Sequence, residues 1–187
     1  MTGALAVLAD SLRRDGLSPR DLLGDGAGAV PFVHYPAGDL YDRKTRSQAY
    51  FHVHAVGMAG HFHLFLRPGG MPPGLVALAG PTDGPAHLGA IELNDQGWPV
   101  AVFATNRWVT GEAWYGAADL IRMLPCFHLD LPAPYTRLGQ WLTAFVAAHG
   151  EALGRLAVLR EQELGEGGLD DESLEVLARL PLGEGQP

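Results

Sequence analysis

Four of the eight histidines in this 187-residue chain fall within twelve positions, as two His-x-His pairs, His52/His54 and His61/His63. Imidazole is a good ligand for zinc, iron, copper and nickel, so several on neighbouring strands can supply most of a transition-metal shell. In a strand, residues two apart share a face, so each pair points one way. If Gly57-Met-Ala-Gly60 closes a symmetric hairpin, residue i pairs with residue 117 − i, which sets His54 opposite His63 and Val56 opposite His61. All four imidazoles then share one face, and Phe51, Val53, Ala55, Phe62, Leu64 and Leu66 form an apolar face for packing.

The pattern predicts a metal site of His52, His54, His61 and His63. Two other readings stay open: a polar cleft using histidine as acid, base or donor, and the solvated face of a half-buried sheet. Asp39, Asp42, Glu92 and Glu112 are the carboxylates that could complete a shell, and His34 and His87 are the better outside ligands. A shell of two or three histidines and one acid would leave coordination positions open for catalysis. Zinc, iron or copper suits such a set, with haem a lesser alternative.

A second polar cluster, Thr105-Asn-Arg-Trp-Val-Thr-Gly-Glu112, follows a strand and precedes a helix, a junction that presents side chains to ligands. Glu112 and Arg107 are the candidate catalytic pair there, and Asn106 and Trp108 the candidate groups for holding a bound molecule. Arg107 could grip a carboxylate or phosphate with two parallel hydrogen bonds. The equal alternative is an Arg107–Glu112 ion pair pinning a turn, with the tryptophans as core anchors.

The elements that must carry these residues follow from periodicity. Leu5, Leu8 and Leu12 recur at helical spacing, and Ser18-Pro-Arg-Asp21 reads as the start of a second short helix. Residues 48–56, 61–66, 87–93 and 98–105 alternate as strands. Helices are expected from Thr110 to Leu124, from Leu138 to about Leu164 with a soft point at His149-Gly150, and from Asp171 to Leu180. The fold class is α+β: an antiparallel sheet of about four or five strands packed with N-terminal and C-terminal helices, one domain over 1–182 and a disordered tail over 183–187.

Hydrophobic residues make up 47% and charged ones 18%, a balance that supports a buried core. The net charge of −8, with Lys44 the only lysine, lacks the basic footprint of nucleic-acid binding. The single Cys126 excludes an internal disulfide and reads as a structural thiol. No run reaches the ~18 apolar residues of a membrane span, and the N-terminus lacks the order of a signal peptide, so the expected setting is the cytoplasm.

His34-Tyr-Pro-Ala-Gly-Asp-Leu-Tyr-Asp42, Ser47 to His54, Gly60-His-Phe-His-Leu-Phe-Leu-Arg67 and Thr105 to Glu112 together resemble an uncharacterised bacterial family of unknown function, over roughly residues 30–150. The resemblance implies no activity. Cupins, histidine triad hydrolases and two-histidine phosphoesterases differ in their motifs. The reading is a small-molecule-binding protein with a polyhistidine, metal-coordinating pocket, either a hydrolytic or oxygen-dependent enzyme or a metal or haem carrier. The rival is an interaction or oligomerisation module, a homo-oligomer with incidental histidines.

Overall fold

A computed structural model of the chain describes residues 3–24, 29–164 and 168–183. The tail expected to be disordered lies, from residue 184 on, outside the described residues. The described part is an α+β fold whose centre is one six-stranded antiparallel sheet, with its strands in chain order from edge to edge. These are β1 (Tyr35–Tyr41), β2 (Ser47–His52), β3 (His61–Leu66), β4 (Ala86–Leu93), β5 (Pro99–Thr105) and β6 (Val176–Pro181).

The longer helices cover one face of that sheet. In chain order the helices are α1 (Gly3–Arg14), α2 (Arg107–Thr110), α3 (Ala117–Met123), α4 (Thr136–Ala148) and α5 (Gly150–Leu164), with 3₁₀ turns at Leu124–Cys126 and, after α1, at Arg20–Leu23. The start of that turn is held by Asp21, whose carboxylate accepts from the Ser18 amide and hydroxyl at 2.7 and 2.6 Å. The sheet residues turned toward the helices are the ones alternation assigns to the core: Phe51, Phe62, Leu64, Leu66, Ile91 and Val102 are each fully buried. Phe62 lies 6.4 Å from the Trp141 ring of α4, and Leu153 and Leu156 of α5 close over Gly89. The break expected near His149-Gly150 is a 70° bend between α4 and α5.

Three expectations are corrected. The sheet has six strands, because β1 and β6 add the two edges. Residues 171–180 are not a helix: Leu174, Leu177 and Ala178 have helical spacing, yet β6 runs from Val176 to Pro181 antiparallel to β5. The ladder with β5 satisfies a row of amides and carbonyls that would otherwise form an open sheet edge, and this outweighs a short ambiguous pattern. The third is the segment from Thr110 to Leu124, which is helical only as α2 ending at Thr110 and α3 beginning at Ala117.

The β2–β3 register also differs from the symmetric four-residue closure. Tyr50 pairs with His63 and His52 with His61, so residue i faces residue 113 − i and the strands stop at His52 and His61. The connection is residues 53–60. The partner has moved by four positions, an even number, so every side chain keeps its face. The histidines remain opposite the apolar set although the predicted partners were wrong.

Candidate metal centre

His52, His61 and His63 stand on the sheet face turned away from the helices. His52 and His61 are direct cross-strand partners, and His63 is diagonal to His52. The Nε2 atoms of His52 and His61 are 2.6 Å apart, and one ligand atom from each of the three rings lies within 4.8 Å of the others. Three imidazoles are therefore close enough to hold one metal ion. Tetrahedral bonds of ~2.05 Å would set the nitrogens roughly 3.3 Å apart. For one ion to be shared, the His52–His61 pair would open slightly and the longest separation would close.

The local sequence explains the position of each ring. Gly60, with φ at +75°, ends the connection so tightly that a Cβ there would stand 2.4 Å from the Phe51 ring and 2.7 Å from the His52 carbonyl oxygen. Only glycine brings the start of β3 this close to the end of β2. His54 belongs to the connection and is exposed, with its ring centroid 5.1 Å from His52 and 5.2 Å from His61. Its ligand atoms lie outside the close group of three.

Behind the cluster runs a buried chain of polar groups. His63 Nδ1 is 3.0 Å from His87 Nε2, which leaves His63 Nε2 for the cluster. His87 Nδ1 in turn is 3.4 Å from Thr105 Oγ1 and 4.0 Å from Glu112 Oε1. Glu112, fully buried, accepts from the His87 amide at 2.8 Å and from Arg160 Nη1 at 3.4 Å. Arg160 also donates to the Tyr115 carbonyl and lies 3.5 Å over the Trp114 ring. A ligand histidine whose far nitrogen is fixed by an outer group is the usual support for a metal, since it sets tautomer and ring orientation.

A β-bulge places His87 in that chain. Plain alternation along β4 puts His87 in phase with Ile91, which faces the helices. Leu64 pairs with Gly89 but Phe65 with His87, so Leu88 is the extra residue and His87 crosses to the histidine face. Gly89, at φ +132°, marks the bulge, and a glycine inside a strand pattern was the one signal in the sequence that could have revealed it.

Burial decides the charge of the cluster. It lowers His52 to about 4, helped by His54 and His34. It lowers His61 further and His63 well below the ordinary range, with neighbouring imidazoles adding to the effect. His87 falls to about 3, through burial and the Arg160 charge. Burial drives Glu112 the other way, up to about 7, against the pull of Arg160 and the His87 amide. The four histidines are thus neutral at pH 7, the form that binds a metal.

The remaining sequence candidates are placed as follows. Asn106 caps α2, accepting from the Arg107 amide at 2.7 Å and donating to the Gly168 carbonyl at 2.7 Å. Arg107 pairs with Asp170, and Trp108 donates to the Leu174 carbonyl at 3.2 Å. These three tie the junction after β5 to residues 168–174, while Glu112 lies behind His87 with Arg160, not Arg107, as its ion-pair partner. Of the other carboxylates, Asp39 accepts from Gln48 at 2.5 Å and contacts His34 Nδ1 at 3.1 Å. Asp42 accepts from the amides of Lys44, Thr45 and Asp130, and Glu92 pairs with Arg179. His34 stacks on Tyr50 at 3.6 Å, and Tyr50 in turn lies 5.0 Å from His63. Tyr50 and Arg160 carried no signal in the sequence that marked them as neighbours of the site.

A family model described as a domain of unknown function (DUF6969) matches residues 5–182. The chain belongs to that family. The match is wider than the motifs that suggested a family of unknown function, and it takes in α1 and β6. Comparisons with curated proteins and with solved structures returned no match. No single helix among the described residues is long and apolar enough to cross a membrane.

Proposed function

We propose that this protein binds one divalent transition-metal ion through His52, His61 and His63, as the centre of a metal-dependent enzyme acting on a small molecule. The observation that carries the reading is the convergence of three imidazoles within 4.8 Å, with His63 oriented from behind by His87. Three neutral nitrogens on one side leave further coordination positions, and a cavity bordered by His61 and His63 lies beside them. An ion held by His52, His61 and His63 would supply Lewis acidity and make a bound water more acidic. The chain's own contribution is to hold three rings on adjacent strands of one sheet, with His63 oriented from behind by His87. Tyr50 and Phe103 pack against His63 and His61 at 5.0 Å each and fix their planes. His54, exposed at the rim, is placed to accept or return a proton or to join the shell as a fourth ligand.

The test is metal titration of protein purified without a polyhistidine tag. Zinc or cobalt should bind at one ion per chain, and His63→Ala should abolish binding while His128→Ala, at an exposed histidine outside the cluster, leaves it intact. Absence of stoichiometric uptake, or uptake unaffected by His63→Ala, overturns the reading.

A further inference from the structure

Beside the histidines the sheet face opens into a cavity of about 280 Å³, room for roughly nine waters at ~30 Å³ each. His61 and His63 contribute to its lining, and apolar walls come from Phe103, Val109, Val176 and Met58. Val176 and Met58 are 49% and 56% exposed, which puts them where the cavity meets solvent.

The charged groups on the wall are Glu92, Glu175 and Arg179. Arg179 donates through Nε and Nη2 to both carboxylate oxygens of Glu92, at 2.6 and 3.0 Å. The cation on this wall is therefore already matched by a carboxylate, and Glu175 leaves the wall with an excess negative charge. Arg107, the cation of the neighbouring junction, is turned to Asp170. An anionic ligand body would lose its water here and gain no free cation in return. An apolar body would release water from Phe103, Val109 and Val176 and needs no cation to replace its own hydration.

We propose that this cavity takes an uncharged, largely apolar small molecule, inserted with its polar head toward His61 and His63. The inference deepens the metal reading, and only the role of the head depends on it: a bound ion would hold that head, while the apolar walls select the body.

Two dyes with the same aromatic body test the selection on metal-free protein. N-phenyl-1-naphthylamine is uncharged, and 8-anilinonaphthalene-1-sulfonate adds one negative charge. The neutral dye should bind saturably at one per chain, and the sulfonate at least about tenfold more weakly. Val176→Asp with Met58→Asp, both at exposed positions, should abolish neutral-dye binding. Val158→Asp, in the separate apolar groove along α5, should leave it unchanged. Equal or tighter sulfonate binding overturns the proposal, as does neutral-dye binding that survives the Val176/Met58 change and is lost with Val158→Asp. Orientation is read with cobalt-loaded protein: benzohydroxamate should shift the visible spectrum and displace the neutral dye, and a dye that stays bound overturns head-first insertion. If cobalt does not bind at all, the metal reading falls, and the dye comparison still decides the nature of the cavity.

Discussion

Gly60→Ala gives a sharp test of how the hairpin builds the site, because Gly57→Ala serves as its control. Both glycines have left-handed backbone, at φ +75° and +82°. An alanine at either one meets the left-handed penalty of roughly 1–2 kcal/mol, partly offset by ~0.4–1 kcal/mol from a less flexible unfolded chain. They differ in surroundings. A Cβ at position 57 meets nothing within 4 Å, whereas at position 60 it stands 2.4 Å from the Phe51 ring and 2.7 Å from the His52 carbonyl oxygen. Phe51 is fully buried and the carbonyl is backbone, so neither can swing away. Forcing an extra group into such a place typically costs about 1–3 kcal/mol more. Urea unfolding should therefore show a loss of about 1–5 kcal/mol for Gly60→Ala and about 0–1.6 kcal/mol for Gly57→Ala, with about 1–3 kcal/mol between them. Relief of the clash must part the ends of β2 and β3, so metal affinity should fall for position 60 alone. Two variants with equal stability, or Gly60→Ala with unchanged metal binding, would refute the claim that this close approach sets the His52–His61 pair.

Other expectations follow from the same geometry. His87→Phe keeps an aromatic ring, somewhat larger than imidazole, but removes the partner of His63 Nδ1, and isothermal titration should show zinc affinity reduced about 10–100-fold; an unchanged affinity would show that the buried chain does not support the site. Phe62→Ala, in the fully buried layer against Phe51 and Trp141, should lower unfolding free energy by about 3–5 kcal/mol in urea melts, and a loss under about 1 kcal/mol would contradict the packing described. Burial raises the folded Glu112 carboxyl from 4.5 to about 7. A raised folded value gives stability that is complete below the unfolded value and is lost as pH rises through the folded one, so this group alone contributes a downward slope of up to about 1.4 kcal/mol per pH unit between those values. Comparison of unfolding at pH 5 and pH 7 should show that slope reduced in Glu112→Gln, and identical slopes would place the proton elsewhere.

The sequence itself determined which side of the sheet the residues of β2 and β3 take. Alternation in Tyr50 to His54 and His61 to Leu66 separates histidine from apolar positions, and no even shift of register can undo that separation, because the side-chain period of a strand is two. For the same reason the α+β class and the bend near His149-Gly150 were legible from local pattern alone. Pairing was another matter. Whether His52 meets His61 or Phe65 depends on where the connection closes, and that is fixed by the contact of Gly60 with Phe51 and the His52 carbonyl, a tertiary fact. The bulge at Leu88–Gly89 likewise reverses the side on which His87 emerges, against its own alternation. Residues 174–180 carry a spacing that suits a helix, and the open edge of β5 makes them a strand. Arg160, Glu112 and His87 come from α5, the loop before α3 and β4, segments whose adjacency no local pattern encodes. Within an unbroken strand, side-chain direction is a property of neighbouring residues along the chain; the meeting of side chains, and the bulge that interrupts alternation, are decided by long-range packing, which only the folded structure contains.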